Sequence, residues 1–164
     1  MLFMSNGIKT QPVKLSLAAI AVFLLWLGQK SRATVIQALI AFPIANAITD
    51  AFKNGAPRLR PCVDLGTDAL VRGGFLDSPG TASAHSANMA AVAFVFAYRM
   101  GWWGIPWFII AFLTGISRIY NGLHYPSQVL LGWACGCFAG FCIVKTWDTY
   151  LRLRRKSEQP IEES

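Results

Sequence analysis

The chain has 164 residues, enough for one domain, of which 54% are hydrophobic and only 14% charged, with a mean hydropathy of +0.43. A soluble domain carries about 25% charged residues, so the deficit argues against an ordinary soluble fold and for lipid-facing surface, which cannot carry charge cheaply. The formal net charge of +7 would suggest nucleic acid in a soluble protein; in a membrane chain cations instead mark cytoplasmic helix ends or bind an anionic substrate, and no nucleic-acid partner is expected.

Five apolar stretches follow one another, at about 13–29, 33–52, 81–98, 102–120 and 127–147. Each is near the roughly 20 residues that span a bilayer core. Only helices or closed barrels satisfy their backbone in lipid, and no ten-residue in/out alternation supports a barrel. The expected fold is therefore all-α, a polytopic membrane helix bundle of about five transmembrane helices. The first stretch lacks a small-x-small cleavage site and reads as a helix rather than a signal peptide. Residues 1–150 form a single membrane-embedded domain in this reading, and 151–164, basic and then acidic, form a tail expected to be disordered and cytoplasmic.

Sidedness follows from counting. Lys30 and Arg32 precede the second stretch, Arg99 separates the third from the fourth, and Lys145, Arg152, Arg154, Arg155 and Lys156 close the fifth. Five alternating helices put all of these on one face, which the positive-inside rule makes cytoplasmic. The loop from Lys53 to Gly80 and the turn from Arg118 to Pro126 then fall on the other face.

Two further patterns have structural readings. Gly132, Gly136 and Gly140 form a small-residue stripe on the last stretch, read as a packing face within the chain in preference to a dimer contact. Trp102, Trp103 and Trp107 read as an aromatic belt. Of the four cysteines, Cys135, Cys137 and Cys142 lie inside an apolar run, which argues against a disulfide framework, and no CxxC zinc spacing occurs.

The outer face collects Lys53, Arg58, Arg60, Ser83, Arg118 and both histidines, His85 and His124, at helix ends. Ionisable groups so placed are a functional hypothesis by default. Three cations among them suit a phosphate, arginine through its bidentate fork and lysine as a point charge. Ser83 offers a hydroxyl, and the amides near Ala84 and His85 at a helix start favour an anion. Arg58 reads as a solvated loop cation.

The spacing is more specific than the composition. Lys53 with Arg60-Pro61 fits K-x6-R-P, Ala82-Ser83-Ala84-His85 stands where P-S-G-H would, and Ser117-Arg118 with His124 fits S-R-x5-H. In this order the motifs resemble the type 2 phosphatidic acid phosphatase family over Lys53 to Gln128. The resemblance implies a metal-independent lipid phosphate phosphatase with no cofactor, acting on a phosphomonoester or diphosphate of a membrane lipid. It implies that His124 attacks phosphorus to form a phosphohistidine, that His85 protonates the leaving alkoxide and then activates water, and that Lys53, Arg60, Ser83, Ala84 and Arg118 hold the phosphate. The expected location is an inner or plasma membrane, with the active site on the extracytoplasmic face that the charge count assigns.

Three positions depart from the family pattern, Ala82 and Ala84 in the middle motif and Gln128 in the last. Ala84 replaces glycine and adds a methyl near the phosphate. Gln128 replaces the aspartate four residues after the nucleophile; its amide oxygen can accept from the imidazole but supplies no charge. Gln128→Asp is therefore expected from sequence to raise turnover. The same change motivates the alternative function, a catalytically weak lipid-phosphate-binding or scaffold protein of this fold. An anion transporter is disfavoured, because the cations cluster at one end only.

Overall fold

The structure, a computed structural model, describes residues 26–158 except 69, 73 and 75. The apolar stretch at 13–29 lies almost wholly outside the described residues. Those that are described fold into four long helices and a short one: α1 (Gln29–Gly55), α2 (Pro61–Asp64), α3 (Ala84–Met100), α4 (Ile105–Tyr120) and α5 (Pro126–Glu158). No strand occurs among them. Three segments are long and apolar enough to cross a membrane, Gln29–Gly55, Ala84–Tyr120 and Pro126–Glu158.

The middle segment is a hairpin. Gly101 ends α3 with φ of +61°, a conformation open to glycine because it has no Cβ, and one 3-10 turn leads into α4. The Phe96 and Trp107 ring centroids lie 4.7 Å apart, and Gly104 packs so tightly on Ala97 that a Cβ there would enter its backbone. Eleven residues of straight helix would separate Phe96 from Trp107 by about 16 Å, so the chain has turned back and α4 returns toward the end where α3 began.

Helix α5 runs parallel to α3 along the glycine stripe. A Cβ on Gly132 would lie 2.5 Å from the Ser83 carbonyl oxygen, one on Gly136 would meet that of Ala87, and one on Gly140 would lie 3.1 Å from that of Ala91. The stripe thus serves packing within the chain, which lets two backbones approach closely without a hydrophobic drive between lipid-bathed helices. The core between α1, α3 and α5 is small-residue packing too, built from Ala38, Ala41, Ala45, Ala87, Ala91, Val95 and Ala139. An Asn88 Nδ2 to Asn46 Oδ1 hydrogen bond of 3.0 Å ties α3 to α1 within it.

At the far end of α3, Arg99 closes a polar clamp. Its Nη1 lies 2.6 Å from Asp148 Oδ1 on α5, its Nε donates to Gln37 Oε1 on α1 at 2.9 Å, and its Nη2 donates to the Val144 carbonyl. Trp102 and Trp103 are strongly exposed beside it, as a belt requires.

One boundary differs from the sequence reading. Helix α5 continues through 151–158, residues assigned above to a disordered tail; residues 159–164 lie outside the described residues. Leu151, Arg152, Leu153, Arg154 and Arg155 are good helix formers, and Arg154 Nε pairs with Glu158 Oε1 one turn on at 2.9 Å. Similarly, α4 begins at Ile105 rather than 102, because the 3-10 turn takes Gly101–Gly104.

Candidate active site

The helix ends converge at the end of the bundle opposite Arg99. Ser83 is the N-cap of α3: its Oγ accepts from the Ser86 N–H at 3.4 Å and from the Ser86 hydroxyl at 2.9 Å. Capping satisfies one of the four N–H groups that a helix start leaves without partners. The Ser83 side chain is fully buried and its own hydroxyl proton remains available to donate. The Ser83 backbone N–H donates to the Gln128 carbonyl at 3.0 Å, joining the start of α3 to the first turn of α5.

Gln128 is the hub. Helix α5 starts with Pro126 at its first position, where the missing N–H costs nothing. Three residues after Tyr125, the Gln128 Oε1 accepts from the Tyr125 backbone N–H at 3.2 Å, the reciprocal half of a capping box. The same oxygen lies 3.1 Å from His124 Nδ1. The amide nitrogen donates to the Leu59 carbonyl at 2.8 Å. That bond fixes which way the amide faces, with oxygen toward the imidazole. His124 Nδ1 therefore carries the proton, which it shares with the Gly80 carbonyl at 3.3 Å, and Nε2 carries the lone pair.

Arg60 meets that lone pair, with Nη1 2.8 Å from Nε2. Its remaining N–H groups are all spoken for: Nε by the Ser78 carbonyl at 2.7 Å, Nη2 by Ser78 Oγ and the Pro79 carbonyl, and Nη1 also by the Leu123 carbonyl. Each of these acceptors is neutral. The loop holding Arg60 is closed on itself by Arg58 N–H to Thr81 Oγ1, Thr81 hydroxyl to the Ala56 carbonyl, and Gly80 N–H to the Arg58 carbonyl. Gly80 is needed here because a Cβ would lie 2.6 Å from Arg60 Cγ and 3.1 Å from Gln128 Oε1.

Electrostatics follow from this packing. Burial first, and then the charge of Arg60, push the His124 imidazole down from its ordinary value to about 3, against hydrogen bonds from Gln128 and Gly80 that raise it. Arg118, buried at the end of α4, adds its charge in the same direction. Burial and the two arginines thus favour the neutral imidazole, with the Nε2 lone pair facing Arg60.

The structure brings together Arg60, Ser83, Arg118, His124 and Gln128. Lys53 lies at the same end, in the last turn of α1, where its Nζ pairs with Asp50 Oδ1 at 2.8 Å. His85 lies one residue beyond Ala84 in the first turn of α3, with its side chain exposed. Both imidazoles therefore stand at one end of the bundle. Sequence reasoning missed Gly80, Ser78, Pro79 and the Leu59 carbonyl, which act through backbone atoms that every residue type possesses, Ser78 through its hydroxyl as well; the one signal was the glycine and proline content just before Ser83. It also left Arg72 aside, whose backbone and guanidinium bind the carbonyls of Asn121 and Tyr120 and tie the long loop to the end of α4.

Residues 34–152 match the model of the PAP2 superfamily. The chain belongs to that family. The bacitracin transport permease protein BcrC of Bacillus licheniformis is 28% identical to this chain over 132 residues, 78% of this chain and 64% of that protein. The undecaprenyl-diphosphatase of Sulfolobus acidocaldarius is 27% identical over 144 residues, 85% of this chain and 63% of that protein. The chain thus spans somewhat under two thirds of these curated relatives. Among solved structures, Aquifex aeolicus LpxE superposes with a TM-score of 0.71 at 22% identity, covering 88% of this chain and 83% of that one, a likeness of fold. The membrane spans and the family together make this PAP2 chain an integral membrane protein.

Proposed function

We propose that this PAP2 chain is a lipid phosphatase that hydrolyses a phosphomonoester or diphosphate of a membrane lipid through His124. The observation that carries this reading is a buried arginine whose five N–H groups end only on neutral acceptors, one of them the lone pair of a neutral histidine. A buried cation without a counter-charge is costly, and an anion entering beside His124 supplies that charge. The relative named undecaprenyl-diphosphatase supports the reaction class.

In the proposed reaction a phosphoryl oxygen takes over Arg60 Nη1, which releases the Nε2 lone pair for in-line attack on phosphorus. The P–O bond to the lipid, or to its proximal phosphate, breaks as the P–N bond forms. Arg60, Arg118, the Ser83 hydroxyl and the α3 amides around Ala84 stabilise the charge on the transferring group, with Lys53 as a mobile point charge once it leaves Asp50. His85 gives its proton to the departing oxygen and later takes one from the water that cleaves the phosphohistidine. Gln128 stabilises the Nδ1–H throughout. The basic groups at the opposite end, Lys30, Arg32, Arg99 and the cations of 152–156, support an extracytoplasmic site through the positive-inside rule.

The test is phosphate release from a panel of lipid phosphates by the detergent-purified chain, with EDTA present, for wild type and His124→Ala. Release that disappears in the variant is the expected result. Tight lipid-phosphate binding with no release by wild type would replace this reading with the scaffold alternative.

A further inference from the structure

A second polar recess adjoins the site, and apart from Gln128 its residues take no part in the reaction above. It is a cleft of about 350 Å³ lined by Arg58, Leu59, Asp64, Tyr125, Ser127 and Gln128. Its back wall is shared with the active site: Gln128, hydrogen bonded to Leu59 on one side, touches His124 on the other. Across the cleft, the Tyr125 hydroxyl donates to Asp64 Oδ2 at 2.8 Å. That bond leaves Asp64 Oδ1 open as an acceptor. Among the described residues the Arg58 guanidinium has no ion pair, its hydrogen bonds being those of its backbone.

Resting on the phosphatase reading, we infer that this cleft is a headgroup subsite for a hydroxyl-bearing group, a glycerol or sugar unit attached to the scissile phosphate. The chemistry favours hydroxyls over a second phosphate. A carboxylate accepts from hydroxyl groups and repels phosphate, a guanidinium donates to their oxygens, and the hydroxyls of Ser127 and Tyr125 can do either. The Tyr125 ring adds an apolar face for C–H groups. An unsubstituted polyprenyl or alkyl phosphate has nothing to offer this surface. A site built to bond hydroxyls discriminates strongly against analogues that lack them, because its polar groups are then left unmatched.

The experiment compares kcat/KM for each variant relative to wild type on two substrates in detergent micelles, a phosphatidylglycerophosphate and a polyprenyl monophosphate. The expected result is that Asp64→Ala lowers kcat/KM about tenfold on the first, through KM, roughly the worth of one hydrogen bond to a charged group, and stays within about twofold on the second. Ser127→Ala and Arg58→Gln should follow the same pattern with smaller losses. Equal losses on both substrates, or none on either, would overturn the inference. So would an Arg58→Gln loss confined to a lipid diphosphate, which would make the cleft a second phosphate site. Should Asp64→Ala fail to fold, Tyr125→Phe, which removes only the hydroxyl that orients Asp64, is read by the same criterion. His124→Ala separates the two levels: turnover surviving there sinks the phosphatase reading, whereas turnover lost there with no substrate selectivity at Asp64 sinks the subsite alone.

Discussion

Each end of the bundle holds an arginine among packed helices, Arg60 buried and Arg99 half-buried, and they are treated in opposite ways. Arg99 is neutralised by Asp148 and bridges three helices, α1, α3 and α5. Arg60 is held just as firmly, by Ser78, Pro79 and Leu123, but by nothing that carries charge. The first arrangement is complete in itself and serves packing. The second is geometrically finished and electrostatically open. Firm placement and charge compensation are separable, and the proposed function reads the first arrangement as a structural clamp and the second as an anion site.

The largest test of that contrast is the pair Arg60→Ala and Arg99→Ala. Arg60→Ala should lower kcat/KM for phosphate release by about 10²- to 10³-fold, the loss typical of one preorganised charge donor, with little change in thermal unfolding in detergent. Arg99→Ala should do the reverse. It leaves Gln37 Oε1 unpaired and Asp148 with only the Tyr98 hydroxyl, and should cost about 1–3 kcal/mol of stability, read by denaturant unfolding, with kcat/KM nearly retained. If the two variants exchanged these outcomes, the contrast would be wrong.

Gly136→Val probes the frame that both ends share. The new side chain would enter the Ala87 carbonyl region, and overpacking of that kind costs about 1–3 kcal/mol. Loss of stability should come with a loss of activity, since α3 and α5 carry Ser83 and Gln128.

Gln128 sharpens the contrast through pH. Because His124 titrates at about 3, wild-type kcat/KM should show no acid limb from the nucleophile between pH 5 and 8. Gln128→Glu puts a carboxylate beside Nδ1, favours the imidazolium, and should move an acid limb upward into that window. Linkage runs the same way. A histidine with a folded value below its unfolded value, about 6.5, binds fewer protons when folded, so its contribution to stability should fall as pH drops from about 6.5 toward 3. Gln128→Asp now carries the opposite expectation from the sequence-based one. Aspartate is shorter and cannot donate to the Leu59 carbonyl, so it should lower turnover by loosening the loop that presents Arg60; a faster Gln128→Asp enzyme would show that the Leu59 bond is dispensable.

The smallest effect is expected at Lys53. It is paired with Asp50 at the protein surface, and Lys53→Met should reduce kcat/KM by about tenfold, well short of Arg60→Ala, in the same phosphate-release assay.

Much of this was legible in the sequence. The four apolar stretches that fall among the described residues are helical there, and motif spacing singled out Arg60, Ser83, Arg118 and His124. Where the reading failed, the cause was local chemistry outweighing a compositional cue. The basic segment 151–158 looked like a solvated tail, yet its residues are strong helix formers continuing an existing helix, and propagation from a formed turn is far easier than nucleation. The break between the third and fourth stretches was expected, but the fourth was started at 102 instead of Ile105 for the opposite reason, since Trp102 and Trp103 are apolar enough to pass for helix interior.

The sequence by itself determined that the chain is helical and lipid-facing, that its cations and histidines fall at alternate helix ends, and that Gly132, Gly136 and Gly140 form one close-packing face. These are properties of periodicity and residue type, which a linear pattern carries in full. Only the tertiary structure decided that Arg60 caps the lone pair of His124, that the Gln128 amide is oriented by Leu59, and that Arg99 is neutralised while Arg60 is not. Those outcomes depend on backbone carbonyls and on partners 49 to 69 positions apart in sequence, where identity alone says nothing about who meets whom.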